Sequence, residues 1–259
     1  MGIILVSGTG TEIGKTVVTA AVAALAVARG RRVAVLKPAQ TGVGPDEPGD
    51  VDEVRRLVGG ELTCRELARY PEPLAPGTAA ARSGLPALTP RQIAAEAARL
   101  AETHDLVLVE GAGGLLVRFD QQQAGSLADV PAELRALGRD CQVLLVTTSG
   151  LGTLNTTELS AEALRARGAE LLGVVIGSWP ERPDLAERCN LADLPLVAGA
   201  PLLGAVPAGA VPGGAVPGAG APGREEADRA SLLATARSSL APALGGEWRG
   251  VPVPAGVSR

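Results

Sequence analysis

Apolar residues along this chain fall in short unbroken runs rather than in strict alternation with polar ones. Gly2 to Ser7, Val33 to Leu36, Leu106 to Val109, Val143 to Thr147 and Leu171 to Ile176 are such runs. Runs of this kind predict strands buried on both faces, as in a parallel sheet covered by helices. Between them lie segments of helical composition. Val17 to Arg29 is rich in Ala and Val, and further helices are expected at about 50–58, 90–103, 155–168 and 225–240. Strands alternating with helices predict an α/β fold, a doubly wound and mostly parallel sheet flanked by helices. Ligands in such sheets bind at the carboxyl ends of the strands.

One stretch departs from this rhythm. Residues 204–223 repeat Gly-Ala-Val-Pro in units of about five residues. This composition predicts a surface loop before the last helix rather than a solenoid. A flexible tail is expected over 245–259. The length of 259 residues suits a single domain spanning the chain. Hydrophobic residues make up 46% and aromatics only 2%, so the core has to be built from Ala, Val and Leu. A formal charge of −4 offers no electrostatic footprint for nucleic acid. No apolar run approaches the roughly 18 residues of a membrane span, and the first residues lack the basic start and cleavage site of a signal peptide. Cys64, Cys141 and Cys189 are widely spaced and give neither a disulfide framework nor a zinc pattern; they are expected to be small buried groups. A cytoplasmic protein is expected.

The basic residues sharpen the picture. Of 24, only Lys15 and Lys37 are lysines. Codon bias would leave chance survivors; a need for a compact ammonium would keep Lys where the planar fork of Arg does not fit. Lys15 lies in Thr9-Gly10-Thr11-Glu12-Ile13-Gly14-Lys15-Thr16, which follows a strand, precedes a helix and ends as a P-loop ends. Backbone N–H groups and the helix N-terminus would cradle phosphate oxygens, Lys15 would reach the β/γ-phosphates, and the Thr16 hydroxyl would bind Mg²⁺. Thr9 stands where the usual pattern asks for Gly.

Three further segments fall at strand ends or just beyond. Glu110 closes a buried strand and is followed by Gly111, Ala112, Gly113 and Gly114, where a second carboxylate can reach a metal and glycines let backbone approach a nucleotide. Lys37-Pro38-Ala39-Gln40-Thr41-Gly42 places a cation where it could stabilise a transferring phosphoryl group. Gly49-Asp50-Val51-Asp52-Glu53 offers either a third oxygen ligand for Mg²⁺ or simply an acidic helix start that suits the macrodipole.

With these motifs in place, and with Leu151-Gly152-Thr153-Leu154-Asn155, residues 2 to about 207 resemble the dethiobiotin synthases, in particular their actinobacterial branch. The resemblance implies an ATP-dependent ligase of biotin biosynthesis. In it 7,8-diaminopelargonate takes up CO₂ as a carbamate, a nucleoside triphosphate phosphorylates that carbamate, and the second amine closes the cyclic urea. It implies Lys37 as the catalytic lysine beside Lys15, and Thr41 as a substrate contact. Thr16, Asp50 and Glu110 would hold Mg²⁺. Glu12, Ile13, Gly14, Lys15, Thr16 and Val17 would bind the phosphates, with Gly111, Ala112 and Gly113 nearby. Thr153, Leu154 and Asn155 would bind the substrate carboxylate at a helix N-terminus. A homodimer with the substrate near its interface is implied, and Pro73 to Ala81 is the expected apolar wall.

Three positions depart from the family pattern. Gly177 and Ser178 stand where many members carry an Asn that reads adenine, so the preferred base of the triphosphate is open. Gly77 stands where a His is frequent. The loop beside the base, Gly204 to Ala208 with Val206, Pro207 and Ala208 in contact, belongs to a repeated sequence; the first copy is expected to be the one used. The single His104 is expected at a solvated helix end, and Trp179 either stacks on the base or packs.

Rival readings differ in testable features. A partition or site-selection ATPase would carry a second Lys at the loop start, where Thr9 and Gly10 stand here. An amidotransferase-type synthetase would need a glutaminase domain of roughly 200 further residues. A nucleotide-binding protein without catalysis is the third rival, and the presence of Lys37 counts only weakly against it.

Overall fold

The computed structural model describes residues 2–60, 62–122, 124–211 and 224–250. Seven strands form one sheet: β1 (Gly2–Gly8), β2 (Val33–Thr41), β3 (Thr63–Tyr70), β4 (Leu106–Glu110), β5 (Cys141–Thr147), β6 (Glu170–Trp179) and β7 (Leu202–Pro207). They are ordered β3-β2-β4-β1-β5-β6-β7, and every paired neighbour runs parallel. The helices are α1 (Lys15–Val27), α2 (Asp50–Val58), α3 (Pro76–Ser83), α4 (Pro90–Leu100), α5 (Val130–Ala136), α6 (Thr153–Ala166), α7 (Leu185–Ala198) and α8 (Arg224–Ser239).

The sheet carries a core on each face. Residues of α1, α2 and α8 pack on one side with Val33, Val35, Leu108 and Val146. Residues of α3, α4 and α5, with Leu164 of α6, pack on the other side with Leu5, Leu36, Val107 and Val109. Helix α1 is apolar almost all round, because it lies between the sheet and its helical neighbours. Its interior is largely Ala and Val, as the scarcity of aromatics requires; Tyr70 and Phe119 are the two aromatics among the largest fully buried side chains.

The sheet ends position the site. Strand β4 accompanies β2 only over Val33–Leu36, and beyond that β2 continues with β3 alone. Lys37 to Thr41 therefore extend past the end of β4 with that side of the strand open. The chain leaves β1 at Gly8, β4 at Glu110 and β5 at Thr147, so the loops that follow gather at one end of the sheet.

Five elements go beyond the apolar-run pattern. Strand β3 reads Thr-Cys-Arg-Glu-Leu-Ala-Arg-Tyr, an edge strand only half-buried, so it lacks a continuous apolar run. Strand β7 takes up the first Gly-Ala-Val-Pro copy; it starts two residues before the expected loop and runs to Pro207. Of the later copies over 209–223, residues 212–223 lie outside the described residues, as do 251–259. Helices α3 and α5 are short and begin around a proline. Helix α7 contains Pro195 and leans on an Asp184–Glu187 capping box. After α8, Gly246 donates to the Ala241 carbonyl and Trp248 to that of Leu240, so the chain folds back on the helix end through Trp248.

Leu5 sits fully buried in the strand between β4 and β5. Leu5→Ala should destabilise the protein by about 2–5 kcal/mol, read as a lower denaturation midpoint with an unchanged m-value in guanidinium.

Candidate active site

The phosphate loop is built by a tight passage from β1 into α1. Gly14 caps the helix with φ +92°, a left-handed conformation that disfavours a side chain. Glu12 also has a positive φ of 57°, which is uncommon outside glycine. Thr9, where Gly is usual, is held rather than free: its N–H donates to the Val146 carbonyl at 2.9 Å, and its hydroxyl lies 3.2 Å from that of Thr147. Lys15 is buried and donates from Nζ to the Gly10 carbonyl at 2.7 Å, closing the loop on itself. Burial lowers its pKa, the nearby Lys37 charge adds to that, and the carboxylates of Glu110 and Asp50 oppose it.

Lys37 is the electrostatic centre. Its side chain is 5% exposed, and its ammonium donates to Glu110 Oε1 at 3.0 Å and to the Gly111 carbonyl at 3.1 Å. It also lies 2.5 Å from Asp50 Oδ2. Three acceptors thus match its three protons. Burial disfavours the ammonium, but Glu110 and Asp50 outweigh that and hold its pKa above the usual lysine value. Thr16 donates to the same Glu110 oxygen at 2.9 Å. The other oxygen, Oε2, is buried and has no hydrogen-bond partner.

That orphaned oxygen is suited to a cation. Thr16 at the start of α1, Asp50 at the start of α2 and Glu110 at the end of β4 meet around Lys37 and supply a hydroxyl and two carboxylates. Among the described residues no group of three His, Cys, Asp or Glu side chains is arranged to hold a metal. A set of two carboxylates and a hydroxyl fits Mg²⁺, which uses one or two carboxylates and takes its other oxygens from phosphates and water. Of the two aspartates in this turn, only Asp50 reaches the lysine cluster. Asp52 caps the Gly49 N–H and pairs with Arg55, whereas Asp50 turns to Lys37. The acidic helix start and the site carboxylate are both present in one turn.

These groups line one cleft of about 750 Å³. Thr11 to Val17, Lys37, Thr41, Asp50, Glu110, Ala112 and Gly113 all border it. Of the expected apolar wall, Pro73, Leu74, Ala75 and Pro76 reach the cleft, whereas the rest of the stretch to Ala81 does not line it. Gly77 is buried against the backbone of residues 118–120, where a Cβ would stand 3.1 Å from the Asp120 nitrogen. Gln40 and Val117 also line the cleft, and the sequence alone assigns neither a role. Gln40 lay inside a motif already singled out; Val117 had no signal.

Two groups of expected residues lie elsewhere. Thr153 is buried at the start of α6, its hydroxyl 2.7 Å from that of Thr147, while Leu154 is half-buried and Asn155 exposed. None of the three lines the cleft. The second group surrounds the paired ends of β6 and β7: Gly177 and Val206 are buried, Ser178, Pro207 and Ala208 are exposed, and Ala208 N–H donates to the Trp179 carbonyl. Gly177 touches the other side of the phosphate loop. A Cβ there would lie 2.0 Å from the Ile13 carbonyl oxygen, and one on Gly14 would lie 2.6 Å from the Gly177 oxygen. The backbones meet so closely that position 177 cannot carry a base-reading side chain.

Other expectations change. His104 is half-buried, with Nδ1 2.9 Å from the Leu100 carbonyl and Nε2 2.8 Å from the Thr63 hydroxyl; it ties the end of α4 to β3 rather than facing solvent. Cys189 is exposed on α7, contrary to the buried position expected, and Cys64 and Cys141 are half-buried. Burial pushes the Cys141 thiol up to about 11 and raises that of Cys64, so neither is poised for reaction. Trp179 packs on Ile176, Leu194 and Ala205. Among the described residues no helix is long and apolar enough to cross a membrane.

Comparison with known proteins agrees with this geometry. The family model described as AAA domain matches residues 3–211. A protein named ATP-dependent dethiobiotin synthetase BioD from Streptomyces avermitilis is 62% identical over 248 residues, covering 96% of this chain and 95% of that protein. The protein of the same name from Streptomyces coelicolor is 66% identical over 208 residues, covering 80% and 84%. That from Saccharopolyspora erythraea is 58% identical over 248 residues, covering 96% and 99%. Among solved structures, the Pyrococcus furiosus cell division ATPase MinD aligns with a TM-score of 0.56 at 20% identity, over 91% of this chain and 97% of that one. A ParA family ATPase from Chlorobium tepidum aligns with a TM-score of 0.50 at 13% identity, over 90% of each chain. At such identities the structural likeness establishes the fold alone, that of the P-loop NTPases.

Gly177→Ala tests the close approach of β6 to the phosphate loop. The added methyl should cost about 1–3 kcal/mol of stability by overpacking and weaken nucleotide binding on the order of tenfold, measured by thermal melts and nucleotide titration.

Proposed function

We propose, from a chain that belongs to the dethiobiotin synthetase family, that this protein forms dethiobiotin from 7,8-diaminopelargonate, CO₂ and a nucleoside triphosphate. The observation that carries the reading is the buried Lys37, held between Glu110 and Asp50 and facing a cleft bordered by the phosphate loop.

The reaction must bring two anions together, a carbamate and a triphosphate. One amine of the substrate attacks CO₂ and loses a proton to give a carbamate anion. A carbamate oxygen then attacks the γ-phosphorus, the bond to the β-phosphate oxygen breaks, and the nucleoside diphosphate leaves. The second amine attacks the carbonyl carbon of the mixed anhydride, phosphate departs, and the amine proton is released as the cyclic urea closes. Little covalent help is needed from the protein; positioning and charge neutralisation supply the rate. Lys15, freed from the Gly10 carbonyl, would reach the β- and γ-phosphate oxygens. Lys37 would face the carbamate, keeping the proton that its carboxylate neighbours favour. Thr41 would contact the substrate at the mouth of the cleft. Thr16, Asp50 and Glu110 would hold Mg²⁺, which when bound neutralises phosphate charge.

The apolar part of the substrate would run along Pro73 to Pro76. Its carboxylate would be held by N–H groups at the α6 start, Thr153 to Asn155, where Gly152 caps the helix without a side chain. These residues do not line the cleft, and Leu151 and Leu159 beside them are exposed. A homodimer joined near this face would place the substrate at the interface. The base would sit by Ser178 and Val206 to Ala208, contacted mainly through backbone. Because Gly177 leaves no room for a reading side chain, discrimination among triphosphates is expected to be weak or altered. The protein would work in the cytoplasm.

The direct test is phosphate release with Mg²⁺, bicarbonate and each nucleoside triphosphate in turn, with and without the diamine. Release that requires the diamine, with dethiobiotin detected by mass, is the expected result; release indifferent to the diamine would defeat the proposal. Lys37→Arg should keep nucleotide binding but lose most turnover, about 100-fold or more, because a planar guanidinium cannot satisfy the three acceptors around Nζ. Near wild-type turnover in that variant would remove Lys37 from its role.

A further inference from the structure

Gln40 lines the cleft and is 5% exposed, yet neither the phosphate loop nor the ion-pair cluster uses it. Its side-chain oxygen accepts the backbone N–H of Asp50 at 2.8 Å. That N–H is one of the free donors at the start of α2. The side chain of an N-cap residue reaches the N–H groups two or three positions into the helix, not this first one, which needs a partner from elsewhere. Here the N-cap is Gly49, which has no side chain. A Cβ at Gly49 would press on the two side chains that hold this turn, standing 2.8 Å from Gln40 Oε1 and 3.1 Å from Arg69 Nη2. The partner is supplied from the neighbouring strand β2. The amide of Gln40 is oriented by its other end, where Nε2 donates to the Thr41 carbonyl at 3.3 Å.

A second tether acts from β3. Arg69 is gripped by both carboxylate oxygens of Glu66, at 2.7 and 2.9 Å, and donates to the carbonyls of Gly44 and Glu47 in the loop that leads to α2. Arg69 fixes the approach of the loop, and Gln40 fixes its last step. Asp50 is the residue whose N–H Gln40 holds and whose carboxylate reaches Lys37. Its side chain is 36% exposed. Helix ends fray when their first donors are unsatisfied.

We infer that Gln40 is a positioning residue for the metal site, setting the first turn of α2 so that the Asp50 carboxylate points to Mg²⁺ instead of to solvent. This rests on the reading of Asp50 as a metal ligand. Partners that orient a metal ligand typically change affinity by about 10–100-fold when removed. Gln40→Met keeps the volume and removes the acceptor; Gln40→Glu keeps an acceptor oxygen.

The experiment measures Mn²⁺ binding by electron paramagnetic resonance with the full chain loaded with the non-hydrolysable analogue AMP-PNP. Affinity for the analogue alone is measured in EDTA. Gln40→Met should bind Mn²⁺ about tenfold more weakly or worse, while Gln40→Glu stays within about threefold of wild type or binds more tightly. Analogue affinity in EDTA should be the same for all three. Wild-type Mn²⁺ affinity in Gln40→Met overturns the proposal, and so does a matching loss of analogue binding in EDTA, which would mark a general structural role. Asp50→Asn separates the two levels. If it leaves Mn²⁺ binding unchanged, Asp50 is not a ligand and the underlying reading fails with the proposal. If it weakens binding while Gln40→Met does not, the role of Gln40 alone is refuted.

Discussion

A buried ammonium is costly unless its charge is matched, and the site of this protein is organised around that constraint. Lys37 lies in the interior with its protons divided among Glu110, Asp50 and the Gly111 carbonyl. Glu110 closes β4 and Asp50 opens α2, so neutralising one lysine draws two separate segments to the end of β2. Thr16, at the start of α1, joins through the same Glu110 oxygen. The cluster is thus a knot between four chain segments, β2, β4, α2 and α1.

The same charges that hold the apo cluster together are those that anionic substrates and a divalent cation would engage. Lys15 is turned onto its own loop, and its lowered pKa reflects burial and the second cation beside it. A triphosphate entering the cleft would relieve that repulsion. Glu110 keeps one buried oxygen without a partner, which is unfavourable in an empty protein and useful in one that receives a metal. Stability and function draw on the same residues here in opposite senses.

Close backbone packing is the second organising device. Gly177 and Gly14 meet with no room for side chains, so strand β6 supports the phosphate loop from the side away from the ion pairs. Thr9 and Thr147 tie the loop to the end of β5. A departure from the usual loop sequence at Thr9 therefore adds an anchor.

Much of this was readable from the chain alone. Continuous apolar runs identify strands shielded on both faces, and the Gly-Lys-Thr ending identifies the loop, because both depend on local composition and spacing. The two lysines stood out because the chain otherwise uses Arg. What the sequence could not decide were matters of distance between remote segments. Asp50 and Asp52 look alike on the page; only the fold shows one turned to Lys37 and the other spent on capping Gly49 and pairing Arg55. Strand β3 escapes notice because an edge strand need not be apolar, and β7 because its residues are those of a repeat. Gln40 and Gly177 acquire meaning only when β2 meets α2 and β6 meets the phosphate loop. A residue's local pattern reports its own element, whereas its role depends on what another element brings within a few ångströms.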